Sequence, residues 1–65
     1  MLKPGTLVQV LYPDYAAGAL GYLKAEEAKG RWIVQLIQNP IEDPNELLLL
    51  SLEESEFQVV YPQPP

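Results

Sequence analysis

Nine carboxylates, four cations, three aliphatic hydroxyls and four tyrosines are the reactive side chains of this 65-residue sequence, which has neither histidine nor cysteine. That combination removes the commonest general base, the commonest nucleophile and the soft metal ligands together. Thr6, Ser51 and Ser55 have no imidazole to activate them. Lys24 and Lys29 would need a deeply buried site to serve as amine bases, and a chain this short buries only about 60% of its unfolded surface. Glu26-Glu27, Glu42-Asp43 and Glu53-Glu54 are adjacent pairs of acids. Neighbours on a strand face opposite ways, so adjacency alone makes no acid/base dyad. Glu42, Asp43 and Glu46 offer oxygen ligands of the kind calcium takes, but their loop lacks the alternating ligands and central glycine of an EF-hand. Gly18-x-x-Gly21 has neither the following lysine nor the helix of a phosphate-binding loop. The expectation is a non-enzymatic protein with no cofactor and no metal.

Charge narrows the partner. Nine acids against four bases give a net charge of −5. Met1 to Arg31 holds all four bases and three acids, whereas Trp32 to Pro65 holds six acids and no base. Nucleic-acid affinity rests on cations that neutralise phosphates, and the acidic half would repel a polyanion. A basic protein surface is the complementary partner. No apolar run approaches the roughly 18 residues that span a bilayer, and the opening Met1 to Gly5 lacks the apolar core of a signal peptide. Insertion in a membrane is not expected, and a cytoplasmic location is.

The elements that position these side chains are short. Seven prolines and four glycines cut the chain into pieces below the usual helix length. Thr6–Leu11, Gly21–Glu26, Arg31–Ile37, Leu47–Leu50 and Phe57–Val60 read as strands. Ala25 to Lys29 is the one helix-like stretch, too short to stand alone. In Arg31–Ile37 the alternation places Trp32, Val34 and Leu36 on the core face and Ile33, Gln35 and Ile37 on the other. In Gly21–Glu26, Tyr22 and Lys24 share one face, Leu23 and Ala25 the other. Asn39 to Asn45, with two prolines, is a loop. Ser51 and Glu54 have capping-box spacing, which predicts one helical turn before the last strand. Tyr61 to Pro65 reads as extended polyproline II, ordered only where something holds it. One domain over residues 1–60 with a proline-rich segment over 61–65 follows. Its fold class is all-β: a small SH3-like barrel of about five short antiparallel strands, closed or nearly so, with one helical turn before the last.

Gly5-x-x-Val8-x-Val10, Gly18-x-x-Gly21-x-Leu23 and Gly30-x-Trp32-x-Val34-x-Leu36 together resemble the KOW motif of SH3-like barrels, over roughly the first 36 residues. The chain also resembles the small SH3-like accessory subunits of photosynthetic electron-transfer complexes in cyanobacteria and chloroplasts. That likeness lies in its size, in the opening Lys3 to Val10 and in the closing Leu47 to Val60. It implies an accessory role within a larger assembly. Those subunits that meet ferredoxin carry positive charge, and this chain departs from them there. Leu11-Tyr12-Pro13-Asp14-Tyr15 resembles in part the aromatic signature of a proline-binding SH3 domain, but Trp32 follows Tyr15 by only seventeen positions. That leaves no room for the long acidic loop of such domains, so the segment reads as a turn.

Leu47 to Leu50 carries large apolar residues on both strand faces, more than an ordinary barrel strand needs. The outer pair is therefore covered, either by the chain's own Leu2 or Tyr61-Pro62 or by a second protein, a second copy included. Leu48 and Leu50, with Ile33 and Ile37, are the expected contact surface. Glu42, Asp43, Glu53, Glu54 and Glu56 would steer a basic partner. The alternative is a KOW-type nucleic-acid or ribosome-associated module that uses Lys24, Lys29 and Arg31.

Overall fold

In the computed structural model, which describes residues 2–37 and 48–65, one antiparallel sheet carries the chain. Its strands are β1 (Leu7–Val10), β2 (Leu20–Ala28), β3 (Arg31–Leu36), β4 (Leu49–Glu53) and β5 (Phe57–Val59). They lie side by side in the order β4-β3-β2-β1-β5. The five antiparallel strands and the helical turn before the last are as expected; closure is not. β4 and β5 do not pair, and the sheet stays open between them. The chain passes from one edge to the other through a single 3-10 turn, Glu54–Glu56. β5 is only three residues long and pairs with β1 alone.

Local chemistry sets the joints. Pro4 and Gly5 hold the central positions of a turn in which the Thr6 amide donates to the Lys3 carbonyl at 3.2 Å, and Gly5 takes φ +91°. Proline first and positive φ second is the type II pattern. Asp14–Ala16 forms a 3-10 turn between β1 and β2, so Tyr12 to Tyr15 is indeed part of a turn. Its Ala16 is buried in the core, while Tyr12 and Tyr15 stand exposed.

β2 runs through the stretch with helical character and ends only at Ala28. Pairing with β3 overrides local propensity there. The register slips at Lys24 and again at Glu27, each an extra residue on β2. A bulge of this kind bends the strand and reverses the alternation. Ala25 consequently lies opposite Ile33 on the outer face instead of sharing the inner face with Leu23.

β4 is also shifted from its expected place. It begins at Leu49 and includes Ser51, which is therefore no helix cap. The turn after it is held at its start by Glu56, whose carboxylate accepts from the Glu53 amide at 2.9 Å. That is the reaching-back half of a capping box, two residues later than the spacing of Ser51 and Glu54 predicts.

The core lies within the curl of the sheet: Val8 and Val10 from β1, Leu23, then Trp32, Val34 and Leu36, Leu50 and Leu52, and Phe57, with Ala16. Every strand contributes, so no strand is stable without the others.

The segment after β5 is held by one side chain. The Gln63 carboxamide accepts from the Leu7 amide at 2.7 Å and donates to the Leu7 carbonyl at 2.8 Å. It also donates to the Val60 carbonyl. The amide presents the same donor and acceptor as a peptide unit, so it extends the β1 ladder where β5 has stopped. Gln63→Ala should leave the Leu7 amide without this partner, while the Leu7 carbonyl keeps the Val60 amide at 3.2 Å, and lower stability by about 1–2 kcal/mol. Hydrogen exchange of the Leu7 amide checks this: about tenfold faster exchange is expected, and unchanged protection would mean the segment is held by something else.

Candidate functional site

The outer face of the sheet follows from the registers. Leu49, Gln35, Tyr22 and Leu7 are successive cross-strand partners and form one row across β4, β3, β2 and β1. The next row runs Ile37, Leu20, Gln9, Gln58: the Ile37 amide donates to the Leu20 carbonyl at 2.9 Å, Leu20 pairs with Gln9, and Gln9 pairs with Gln58. Four of these apolar side chains remain well exposed: Leu49 at 53%, Ile37 at 51%, Leu20 at 43% and Tyr22 at 37%. On the other side of the first row Ile33, half-buried, lies between Ala25 and Ser51.

Neither row contains a charged residue, although a fifth of the chain is charged. Lys24, on the first bulge of β2, lies beside Tyr22 and Gln35, and the other charges of this face are gathered at the margin beyond Ile33. There the Arg31 guanidinium donates to Glu53 Oε1 at 3.1 Å and to Ser51 Oγ at 3.2 Å, and the Ser51 hydroxyl donates to Glu27 Oε1 at 2.7 Å. These contacts tie β2, β3 and β4 together at the edge of the face. Arg31 and Glu53 are the one ion pair among the described residues, and both are substantially exposed. Such a pair contributes little, roughly 0–1 kcal/mol. Arg31→Ala should accordingly move the unfolding midpoint only slightly, which chemical denaturation would read.

The expected contact residues divide. Ile33 and Ile37 lie on the outer face as read. Leu50 is in the core, and Leu48 packs against that core; neither stands outward. Leu49 is the leucine that does. The correction has a physical cause, because β4 continues through Leu52, and the set Leu48, Leu50, Leu52 fills the inside while Leu49, Ser51, Glu53 face water. Polar Ser51 and Glu53 carried this signal. Leu20 and Tyr22 join the face in addition to the expected contacts; they precede and follow Gly21 at the spacing that puts them on one strand face.

The acids divide too. Glu53 is paired with Arg31, Glu56 caps the turn, and Glu54 Oε2 accepts from the Trp32 indole N–H at 3.4 Å. Glu42 and Asp43, with the candidate calcium ligand Glu46, lie outside the described residues. No group of three acids among the described residues could hold a metal ion. Lys24 sits on the first bulge of β2, Lys29 in the β2–β3 turn and Arg31 at the start of β3, beside Glu26, Glu27 and Glu53. No helix among the described residues is long and apolar enough to cross a membrane.

Leu2 packs onto the core and Gln63 anchors the last segment to Leu7 on β1, three strands away from Leu49. Neither candidate cover from within the chain reaches the outward leucine by these contacts. Comparison with protein families, with curated proteins and with solved structures finds no match to this chain.

Proposed function

We propose that this chain is a non-enzymatic protein-interaction module, an accessory or assembly subunit of a larger complex. The observation that supports it is the outer sheet face, where Leu20, Tyr22, Ile37 and Leu49 hold roughly a third to a half of their surface in water. Full burial of one such side chain is worth about 1.5–3 kcal/mol, so covering the exposed part of each returns on the order of 1 kcal/mol. The two rows carry no charge of their own, with Lys24 and the acidic margin beside them, and charge depletion at the core of a patch is the composition of a protein interface. The acidic margin would speed encounter with a basic partner more than it deepens final affinity.

The likeness to accessory subunits of photosynthetic electron-transfer complexes makes such assemblies the first place to look. The test is affinity capture with the wild-type chain beside an Ile37→Lys/Leu49→Lys variant. A protein recovered in stoichiometric amount with the first and at least tenfold depleted with the second is the expected result. Identical captured sets would overturn the reading. The nucleic-acid alternative forecasts retardation of RNA or DNA in a gel shift at low salt; the interaction reading expects none, because Lys24, Lys29 and Arg31 share their hairpin with Glu26 and Glu27.

A further inference from the structure

We infer that the loop between β1 and β2 is a second contact surface, on which Tyr12, Asp14 and Tyr15 take an arginine-bearing segment of a protein partner. The inference rests on the interaction reading above but uses no residue of the sheet face.

The loop holds two large rings in water. Tyr12 is 59% exposed and Tyr15 70%. The backbone that carries them is fixed. The Leu11 and Tyr12 amides both donate to the Glu56 carbonyl, at 2.8 and 3.2 Å. The Ala16 amide donates to the Pro13 carbonyl at 3.0 Å, and the Gly18 amide to the Val10 carbonyl at 2.8 Å. Ala16 is buried and pins the turn to the core. A ligand therefore meets both rings without first ordering the loop, which is a large part of the usual cost of binding.

Exposed tyrosines alone suit a proline helix, a stacked base or a cation. The surrounding charge decides between them. Asp14 stands between the two tyrosines in the chain, is exposed, and belongs to no ion pair among the described residues. No cation occurs from Pro4 to Leu23 or from Trp32 to Pro65. Lys3 precedes the turn at the opposite end of β1, Lys24 lies beside Tyr22 and Gln35, Lys29 is in the β2–β3 turn, and Arg31 is engaged with Glu53. A nucleic acid would bring phosphates against Asp14 and be repelled. A proline segment brings no charge to Asp14 and packs in a groove walled by aromatic rings. Here Trp32 is buried, and Tyr61 follows β5 beside Leu7, at the other end of β1, so neither joins the pair as a wall.

A cation answers both features at once, since the ring faces attract it through their quadrupole and the carboxylate through its charge. Guanidinium does this better than ammonium. Its plane stacks on a ring while its edge donates to a carboxylate, and it is the more weakly hydrated of the two.

The test is a titration of the full chain, followed by its backbone amide NMR signals, with a glycine peptide carrying two arginines. The same peptide with two lysines and an uncharged proline peptide are the comparisons. The arginine peptide should give saturable shifts centred on Leu11 to Ala19, the lysine peptide should bind more weakly, and the proline peptide should give no response at this loop. Tyr12→Leu, Tyr15→Leu and Asp14→Asn should each weaken binding of the arginine peptide about two- to fivefold, and the two tyrosine changes together about tenfold. Circular dichroism shows that each variant is folded. No saturable shift, shifts centred on Glu27 and Glu53 instead, an equal response to the proline peptide, or binding indifferent to these substitutions overturns the inference. A chain that captures a protein through Ile37 and Leu49 yet ignores the arginine peptide overturns it too, while the interaction reading stands.

Discussion

Trp32→Ala should leave most of the chain unfolded at 25 °C. Trp32 is 4% exposed and is the largest side chain of the core, held between Glu26 on β2 and Leu52 on β4 by its register. Removing a buried tryptophan costs about 3–5 kcal/mol, the lost transfer energy plus the cavity left behind. A domain of this length has only about 3–10 kcal/mol of total stability. The loss is thus comparable with everything that holds the fold together. Trp32→Phe keeps most of the volume and gives up the indole N–H contact to Glu54, so it should cost far less. Far-UV circular dichroism through a urea titration separates the two, since a small domain loses about 1 kcal/mol of stability per molar urea. The alanine variant should melt some 3 M earlier than wild type, if it folds at all, and the phenylalanine variant within about 1.5 M. An alanine variant with a wild-type midpoint would mean that Trp32 does not organise the core.

Trp32 also marks how far residue types alone specify this fold. Its strand is rich in aromatic and β-branched residues and carries polar Gln35 on the outer side, so period and phase are both legible, and Trp32, Val34 and Leu36 fill the inside. β4 offered four leucines in a row with no internal phase mark. The mark lies in Ser51 and Glu53, past the end of the expected strand, and it turns Leu49 outward and Leu50 inward, the reverse of the expectation for Leu48 and Leu50. A two-residue period makes such a one-step error invert the whole face. Bulges hide in another way. Nothing in Lys24 or Glu27 announces an extra residue, since a bulge belongs to the pairing of two strands and not to either one. The anchoring of Gln63 on Leu7 spans 56 positions and depends on where β5 ends, and Tyr61-Pro62 forms a bend in place of the extended run its prolines suggest, so neither follows from residue types alone. The open edge between β4 and β5 likewise depends on strand lengths that residue types alone leave undetermined.

The second large effect is expected at Gly21, and it joins the core to the outer face. Gly21 lies between Val8 on β1 and Leu36 on β3, and it is buried. A Cβ there would stand 2.7 Å from the Gln35 carbonyl oxygen and 2.9 Å from Val34 Cγ1. The first of these is backbone in the middle of a ladder and cannot step aside without moving β3. At Gly5, Gly18 and Gly30 the reason for glycine is different, because φ is positive and a Cβ would meet nothing within 4 Å. Left-handed backbone costs an L-residue about 1–2 kcal/mol, whereas overpacking against a fixed strand costs up to about 3 kcal/mol and sometimes more. Gly21→Ala should therefore destabilise more than Gly30→Ala in the same urea titration, and Gly21→Val should prevent folding. Displacing β3 at this point also displaces Gln35, the centre of the outer face, so Gly21→Ala at a temperature where it still folds should weaken association of the chain as well. A Gly21→Ala chain no less stable than Gly30→Ala would mean that β2 and β3 are spaced more widely at this pair than the 2.7 Å approach implies.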